Sequence, residues 1–277
     1  MKKLSKASLR RGMCTVIALL IAGMALFPLY WLFICSLKTD VEIFSNKASL
    51  FVIKPVWENY TSQLGSLMRA FPNSLCQALG NVLLTSVLAI PAAYGIARYD
   101  MKGKNTIIQA FITTQMLPAS LLLTPMYLMF SRASLLNTRV APVLAIATIS
   151  IPFTIVVLRP VFKQFPVEID EAARIDGCTT LGVFLKIFIP VCRPGIITCL
   201  CFSFVHGWNN LIYNITFSTK AEYRSMTSGI YRLINEQGTM WNQIMAYGVI
   251  LVLPIIILFI FAQKYIIDGM TAGSVKQ

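Results

Sequence analysis

Six stretches of this chain contain no Asp, Glu, Lys or Arg: Gly12 to Leu37, Ala70 to Ala97, Asn105 to Ser131, Val140 to Leu158, Pro194 to Thr219 and Gln237 to Gln263. Each reaches the ~20 residues with which an α-helix crosses the hydrocarbon core of a bilayer. The whole composition points the same way. With 56% hydrophobic and 13% charged residues and a mean hydropathy of +0.69, the chain is too apolar for an ordinary soluble domain. The expectation is an all-α integral membrane protein with six transmembrane helices, at roughly 13–37, 72–97, 105–130, 140–159, 194–216 and 243–264. Pro28, Pro91, Pro118, Pro125, Pro142, Pro152 and Pro254 fall within or near these spans. Neighbouring helices can satisfy the carbonyls they free, so kinked helices are expected rather than broken ones.

Lys and Arg set the orientation. With the N-terminus inside, fifteen of the 24 basic residues fall on cytoplasmic segments, Lys2, Lys3, Lys6, Arg10 and Arg11 among them, and nine fall outside. The positive-inside rule therefore places both termini in the cytoplasm. The net charge of +13 is scattered along membrane flanks. It suits anionic lipid headgroups, and no nucleic-acid partner is expected. The first apolar run follows basic residues as in a signal peptide, but it is too long and lacks a small-residue cleavage site, so it reads as a retained helix.

Seven cysteines, none in a CxxC pair, and a single histidine, His206, support neither a metal site nor a disulfide framework. No phosphate-cradling GxxxxGK[ST] loop, HExxH or GxSxG is present, so no cofactor and no enzymatic activity are expected. If ATP drives the work, another polypeptide binds it.

The inner segment from Arg159 to Arg193 breaks the apolar pattern. Pro166 suits the first turn of a helix, Glu168, Asp170 and Glu171 fall near its positive N-terminal end, and Asp170 and Arg174 have the spacing of an i,i+4 pair. Gly177 supplies a C-terminal stop. Thr179 or Thr180 can cap a second short helix through Phe188, which Pro190 ends, with Phe184 and Phe188 on one face. The product is helix, glycine turn, helix, projecting into the cytosol. It could be a solvated connector. Apolar Leu181, Phe184 and Phe188 with a charged rim would equally suit a docking knob.

The run Glu171-Ala172-Ala173-Arg174-Ile175-Asp176-Gly177, followed by Ile187, Pro190 and Pro194, resembles the "EAA" loop of ATP-binding-cassette importer permeases. Asn73-Ser74, Ala92 to Tyr99, Lys102-Gly103-Lys104, Met116-Leu117-Pro118, Pro125-Met126-Tyr127, Leu136-Asn137-Thr138 and the ending Gln263 to Lys276 extend the likeness over nearly the whole chain. It is similar to the second of the two permeases in carbohydrate importers of the maltose-transporter type. That resemblance implies a single permease domain over 1–277 in a bacterial inner membrane, with a coupling loop at 163–190. It also implies a heterodimer with a second permease, two ATP-binding subunits, an extracytoplasmic solute-binding protein and a sugar substrate. Glu171, Ala172, Ala173, Asp176, Gly177, Phe184 and Pro190 would then contact the ATPase, with Gly273 to Gln277 as a second contact and Ser218 to Met240 towards the binding protein. A non-sugar solute stays open. So does an ion-coupled transporter, although the spans hold no acid or base apart from His206.

In the fifth span, His206, Asn209, Asn210 and Tyr213 recur at intervals of three and four and are expected to share a face. Polar side chains at that depth line a pathway or bond another helix. Both readings remain open for Asn209, Asn210 and Tyr213.

Overall fold

The computed structural model describes residues 6–45, 49–235 and 238–271. The contact expected at Gly273 to Gln277 lies outside these residues, as do Lys2, Lys3, Lys47 and Lys276. In chain order the helices are α1 (Lys6–Ser36), α2 (Asp40–Ile43), α3 (Glu58–Arg98), α4 (Lys104–Met116), α5 (Leu123–Arg132), α6 (Val140–Lys163), α7 (Val167–Ile175), α8 (Thr180–Val183), α9 (Ile189–Val191), α10 (Arg193–Asn209), α11 (Ile212–Phe217), α12 (Met226–Gly229) and α13 (Trp241–Thr271). A two-residue antiparallel pair, Ile234–Asn235 with Gly238–Thr239, interrupts the helices. The sequence pattern gave no sign of it.

Among the described residues four helices, within α1, α3, α6 and α13, are long and apolar enough to cross a membrane unaided. Two bent pairs bring the number to as many as six: α4 with the segment Ala119–Arg132, bent by 98°, and Thr180–Val191 with α10, bent by 81°. The first bend has a local cause. Leu117 precedes Pro118, whose ring disfavours helical geometry at the residue before it, and Leu117 is extended at φ −78°, ψ 129°. Prolines 28, 72, 91, 152, 160 and 254 instead lie inside continuous helices.

The chain forms two compact units: residues up to Gly65 with Ile230–Leu253, and Ser66–Gly229 with the residues from Pro254 on. In the first, Asn59 pins the end of α1. Its Nδ2 donates to the carbonyls of Ser36 (2.9 Å) and Lys38 (3.0 Å), and its Oδ1 accepts from Nδ2 of Asn242 at 3.0 Å. Helix-end carbonyls that lack an intrahelical donor are thereby satisfied. Thr39 closes a capping box with Glu42 at the start of α2.

The second unit is held by close helix contacts. A Cβ built at Gly207 of α10 would stand 2.6 Å from the Cα of Ala78 in α3, so only glycine admits this backbone approach. Two apolar cores flank the contact. One gathers Tyr94, Ile155, Leu158, Phe162, Phe184 and Phe188 from α3, α6 and the segment after α8. The other gathers Phe130, Ala145, Ile146, Tyr213 and Phe217.

Candidate functional site

The segment between α6 and α10 folds as helix, glycine turn, helix. Pro166 is the cap residue (φ −58°, ψ 136°), with α7 starting one residue later, and Glu168 and Asp170 occupy its first turn. At the other end Gly177 takes φ +83°. The Gly177 N–H donates to the Arg174 carbonyl (3.0 Å) and the Cys178 N–H to that of Ala173 (2.9 Å), the paired closure of a Schellman motif, with its left-handed residue supplied by glycine. Thr179 then caps α8, its Oγ1 accepting from the Gly182 N–H at 3.1 Å.

Pro190 does not end the second helix as expected. The helix widens to a π turn over Phe184–Phe188, where the Ile189 N–H reaches back five residues to the Phe184 carbonyl, and it continues through Val191. A wider turn accommodates a residue that cannot donate and whose ring crowds the preceding carbonyls. The break comes at Cys192, a buried residue at φ −84°, ψ 7° between α9 and α10.

Glu171, Ala172, Arg174, Ile175, Asp176 and Gly177 are exposed, while Asp170 and Ala173 face inward. Ile175 is 86% exposed and Leu181 64%. The expectation of an exposed apolar face on Phe184 and Phe188 is corrected: both are buried, at 8% and 0%, because they pack on Tyr94 of α3, with ring centroids 4.9 and 4.8 Å away. The large apolar residues left on the outside of the elbow are Val167, Ile169, Ile175, Leu181 and Leu185.

The expected pairing of Asp170 with Arg174 is also replaced. Asp170 Oδ2 lies 3.3 Å from Nε of Arg98, the last residue of α3, with the two side chains 9% and 6% exposed. The N–H is not aimed along this line, so the contact is ionic rather than a hydrogen bond. The Arg98 guanidinium donates to the Pro166 carbonyl at 3.3 Å and lies over the rings of Phe188 (4.5 Å) and Phe165 (5.6 Å). A basic residue closing the second apolar run was the available signal, and positive-inside logic absorbed it.

The fifth span is interrupted where its polar face was expected. α10 ends at Asn209, and Asn210 is extended at φ −71°, ψ 114°, so the residues 206 to 213 do not share one continuous helical face. Asn209 and His206 are exposed. Oδ1 of Asn210 accepts from the Tyr213 N–H (2.9 Å), and its carbonyl accepts from Nδ2 of Asn214 (2.6 Å) and Oγ1 of Thr227 (3.1 Å). Tyr213 is fully buried against Phe217.

The larger polar array lies on α3. Asn73, Gln77, Asn81 and Thr85, four residues apart, are all buried. Asn73 Nδ2 donates to the carbonyls of Glu222 and Arg224 (2.7 and 3.0 Å) and its Oδ1 accepts from Arg139 Nε at 2.9 Å. Gln77 donates to Oδ1 of Asn214 at 2.6 Å. Asn81 donates to Ser150 Oγ (2.9 Å) and to the Ser203 carbonyl (2.7 Å). The spacing was visible within the charge-free run 70–97, where only Asn73 had drawn notice.

The fold is that of a helical multi-pass membrane protein with two broken spans and a charged elbow between α6 and α10. Residues 85–272 match the family of binding-protein-dependent transport system inner membrane components, and the chain belongs to that family. It is 33% identical over 253 residues to the probable ABC transporter permease protein YurM of Bacillus subtilis (strain 168), covering 90% of this chain and 83% of that one. With the sulfoquinovosyl glycerol transport system permease protein SmoH of Agrobacterium fabrum (strain C58 / ATCC 33970) it shares 31% over 261 residues, 91% and 89% of the two chains. The fold matches, at a TM-score of 0.77 and 19% identity, a chain from the crystal structure of a bacterial ABC transporter involved in the import of the acidic polysaccharide alginate, covering 96% of this chain and all of that one.

Proposed function

We propose that this chain is one of two permease subunits in an ATP-driven sugar importer of the bacterial inner membrane, with six spans and both termini in the cytoplasm. It works beside a sister permease, two ATP-binding subunits and an extracytoplasmic solute-binding protein. The two compact units act as one permease domain, a reading supported by a family match that runs across both. The sugar reading rests on the relatives, among them the diacetylchitobiose permease DasC and the trehalose permease SugB.

The observation that carries the coupling role is the outward face of the elbow at 163–190. Glu171, Ala172, Asp176, Gly177 and Pro190 are exposed around a glycine-locked turn, and Ile175 and Leu181 stand out as apolar anchors. Ala173 and Phe184 instead hold the elbow to the body. Such a rimmed apolar knob suits recognition by another protein. Asn209 is the exposed candidate for the solute path, with Asn210 and Tyr213 supporting it from behind.

In a variant retaining Cys178 as its only cysteine, a membrane-impermeant thiol reagent labels inside-out vesicles and leaves intact wall-less cells unlabelled. Labelling from outside overturns the orientation. Gly177→Pro forces φ near −65° where the turn needs +83°. Uptake of the sugar bound by the cognate binding protein then falls to background while the spans still insert, whereas normal uptake removes the elbow from the mechanism. Uptake of a non-sugar solute alone would keep the permease and discard the substrate class.

A further inference from the structure

We propose that Arg98 is the positioning residue that ties the elbow to α3, so that a push on the elbow becomes a movement of that helix. The inference rests on the coupling role proposed for 163–190. One cation grips both arms of the elbow. On the first arm it meets the Asp170 carboxylate at 3.3 Å and the Pro166 carbonyl at 3.3 Å, and on the second it lies 4.5 Å over the Phe188 ring.

Packing alone does not require a charge here. A buried ion pair is expensive to desolvate, and an apolar pair of similar volume would hold two helices as well. What a guanidinium adds is direction, because its plane stacks on the Phe188 ring while one N–H donates to the Pro166 carbonyl, with the carboxylate held alongside by charge. Asp170 immediately precedes the exposed Glu171 on α7. A force on the outer face of α7 therefore reaches Arg98 through a single helical turn.

From Arg98, α3 runs to Asn73, about 38 Å away at 1.5 Å per residue, and Asn73 holds the carbonyls of Glu222 and Arg224. Between them Gln77 and Asn81 fasten α11, α6 and α10 to the same face. A displacement applied at Arg98 is thus carried by a helix already bonded to the fifth span and to the loop beyond it. Loss of Arg98 would leave the elbow in place on its aromatic contacts, with Tyr94 against Phe184 and Phe188, while removing its directional grip.

The test uses the complete transporter in proteoliposomes, with a reporter Asn209→Cys in an otherwise cysteine-free chain and an impermeant maleimide as probe. In that background, ATP with vanadate is expected to change the labelling rate at position 209. Arg98→Gln is expected to keep ATP hydrolysis and ATPase association while shrinking the ATP-driven change in labelling by about tenfold, within the usual range of coupling between sites. Arg98→Lys, which keeps the charge but not the planar stack on Phe188, is expected to assemble and still lose most of the change. A full ATP-driven change in assembled Arg98→Gln overturns the proposal. If Arg98→Gln does not assemble, Arg98→Lys decides: a diminished labelling change in the assembled complex supports the tie, and a full change overturns it. Gly177→Pro separates this reading from the one beneath it. If Gly177→Pro loses the change and Arg98→Gln keeps it, the tie alone is wrong; if both keep it, the elbow's coupling role fails as well.

Discussion

The two ends of the buried stretch of α3 are fastened by different chemistry. At one end Asn73, Gln77 and Asn81 use neutral amides, each donating to a carbonyl or side chain at 2.6–3.0 Å. At the other a single guanidinium meets a carboxylate and two aromatic rings. Amide hydrogen bonds between membrane helices are individually small, averaging about 0.6 kcal/mol, and three in register fix a helix through their number. The ion pair concentrates its effect in one place and depends on both partners staying put. The ladder suits a helix that keeps its neighbours, and the clamp suits a joint whose loss is felt at once.

Asp170→Leu is the sharpest way to break this contrast. It leaves the Arg98 charge, on a side chain 6% exposed, without its carboxylate, and an orphaned buried charge costs about 3–5 kcal/mol. The thermal midpoint of the detergent-purified complex should fall accordingly. Adding Arg98→Met should return most of the stability, since apolar replacements of buried pairs are close to neutral, yet leave transport impaired because direction is still missing. A loss under about 1 kcal/mol for Asp170→Leu would make the clamp no stronger than one rung of the ladder and erase the distinction.

Asn81→Leu probes the ladder itself. It deletes bonds to Ser150 and to the Ser203 carbonyl and should cost about 1–2 kcal/mol, read as a smaller fall in the same midpoint with uptake following stability. If it exceeds the cost of Asp170→Leu, the order assigned to the two ends is reversed.

The contrast also separates what the sequence displayed from what it hid. The charge-free runs revealed the long helices, because lipid demands a length that composition shows directly. Gly177, Thr179 and the acids of α7 were readable because caps and turns are local. Two features escaped for the same reason: they depend on distant partners. Asp170 chose Arg98, 72 residues away, over the nearby Arg174, since a buried carboxylate gains more from a shielded cation than from a solvated one. Phe184 and Phe188 turned inward onto Tyr94 of α3, and an i,i+4 count puts the two rings on one face without saying whether that face meets solvent or another helix. The break at Asn210 likewise defeated a face drawn with helical spacing, and Leu117 before Pro118 turned a kink into a 98° bend.

The smallest expected effects lie at that break, where neighbouring asparagines differ in a way the sequence could not rank. Oδ1 of Asn210 accepts the Tyr213 N–H at 2.9 Å, the service an N-cap side chain gives a helix start, so Asn210→Leu should cost about 1 kcal/mol and Asn210→Asp, which keeps the acceptor, should cost less. Asn209 is exposed, and Asn209→Leu should leave the midpoint within about 0.5 kcal/mol of the parent. Transport then discriminates between them. Reduced uptake in a stable Asn209→Leu complex places that residue on the solute path, with Asn210 as its structural support. Unchanged uptake there, with Asn210→Leu losing stability and transport together, assigns the break to packing, so that α3's ladder and not the polar end of α10 is what the buried amides serve.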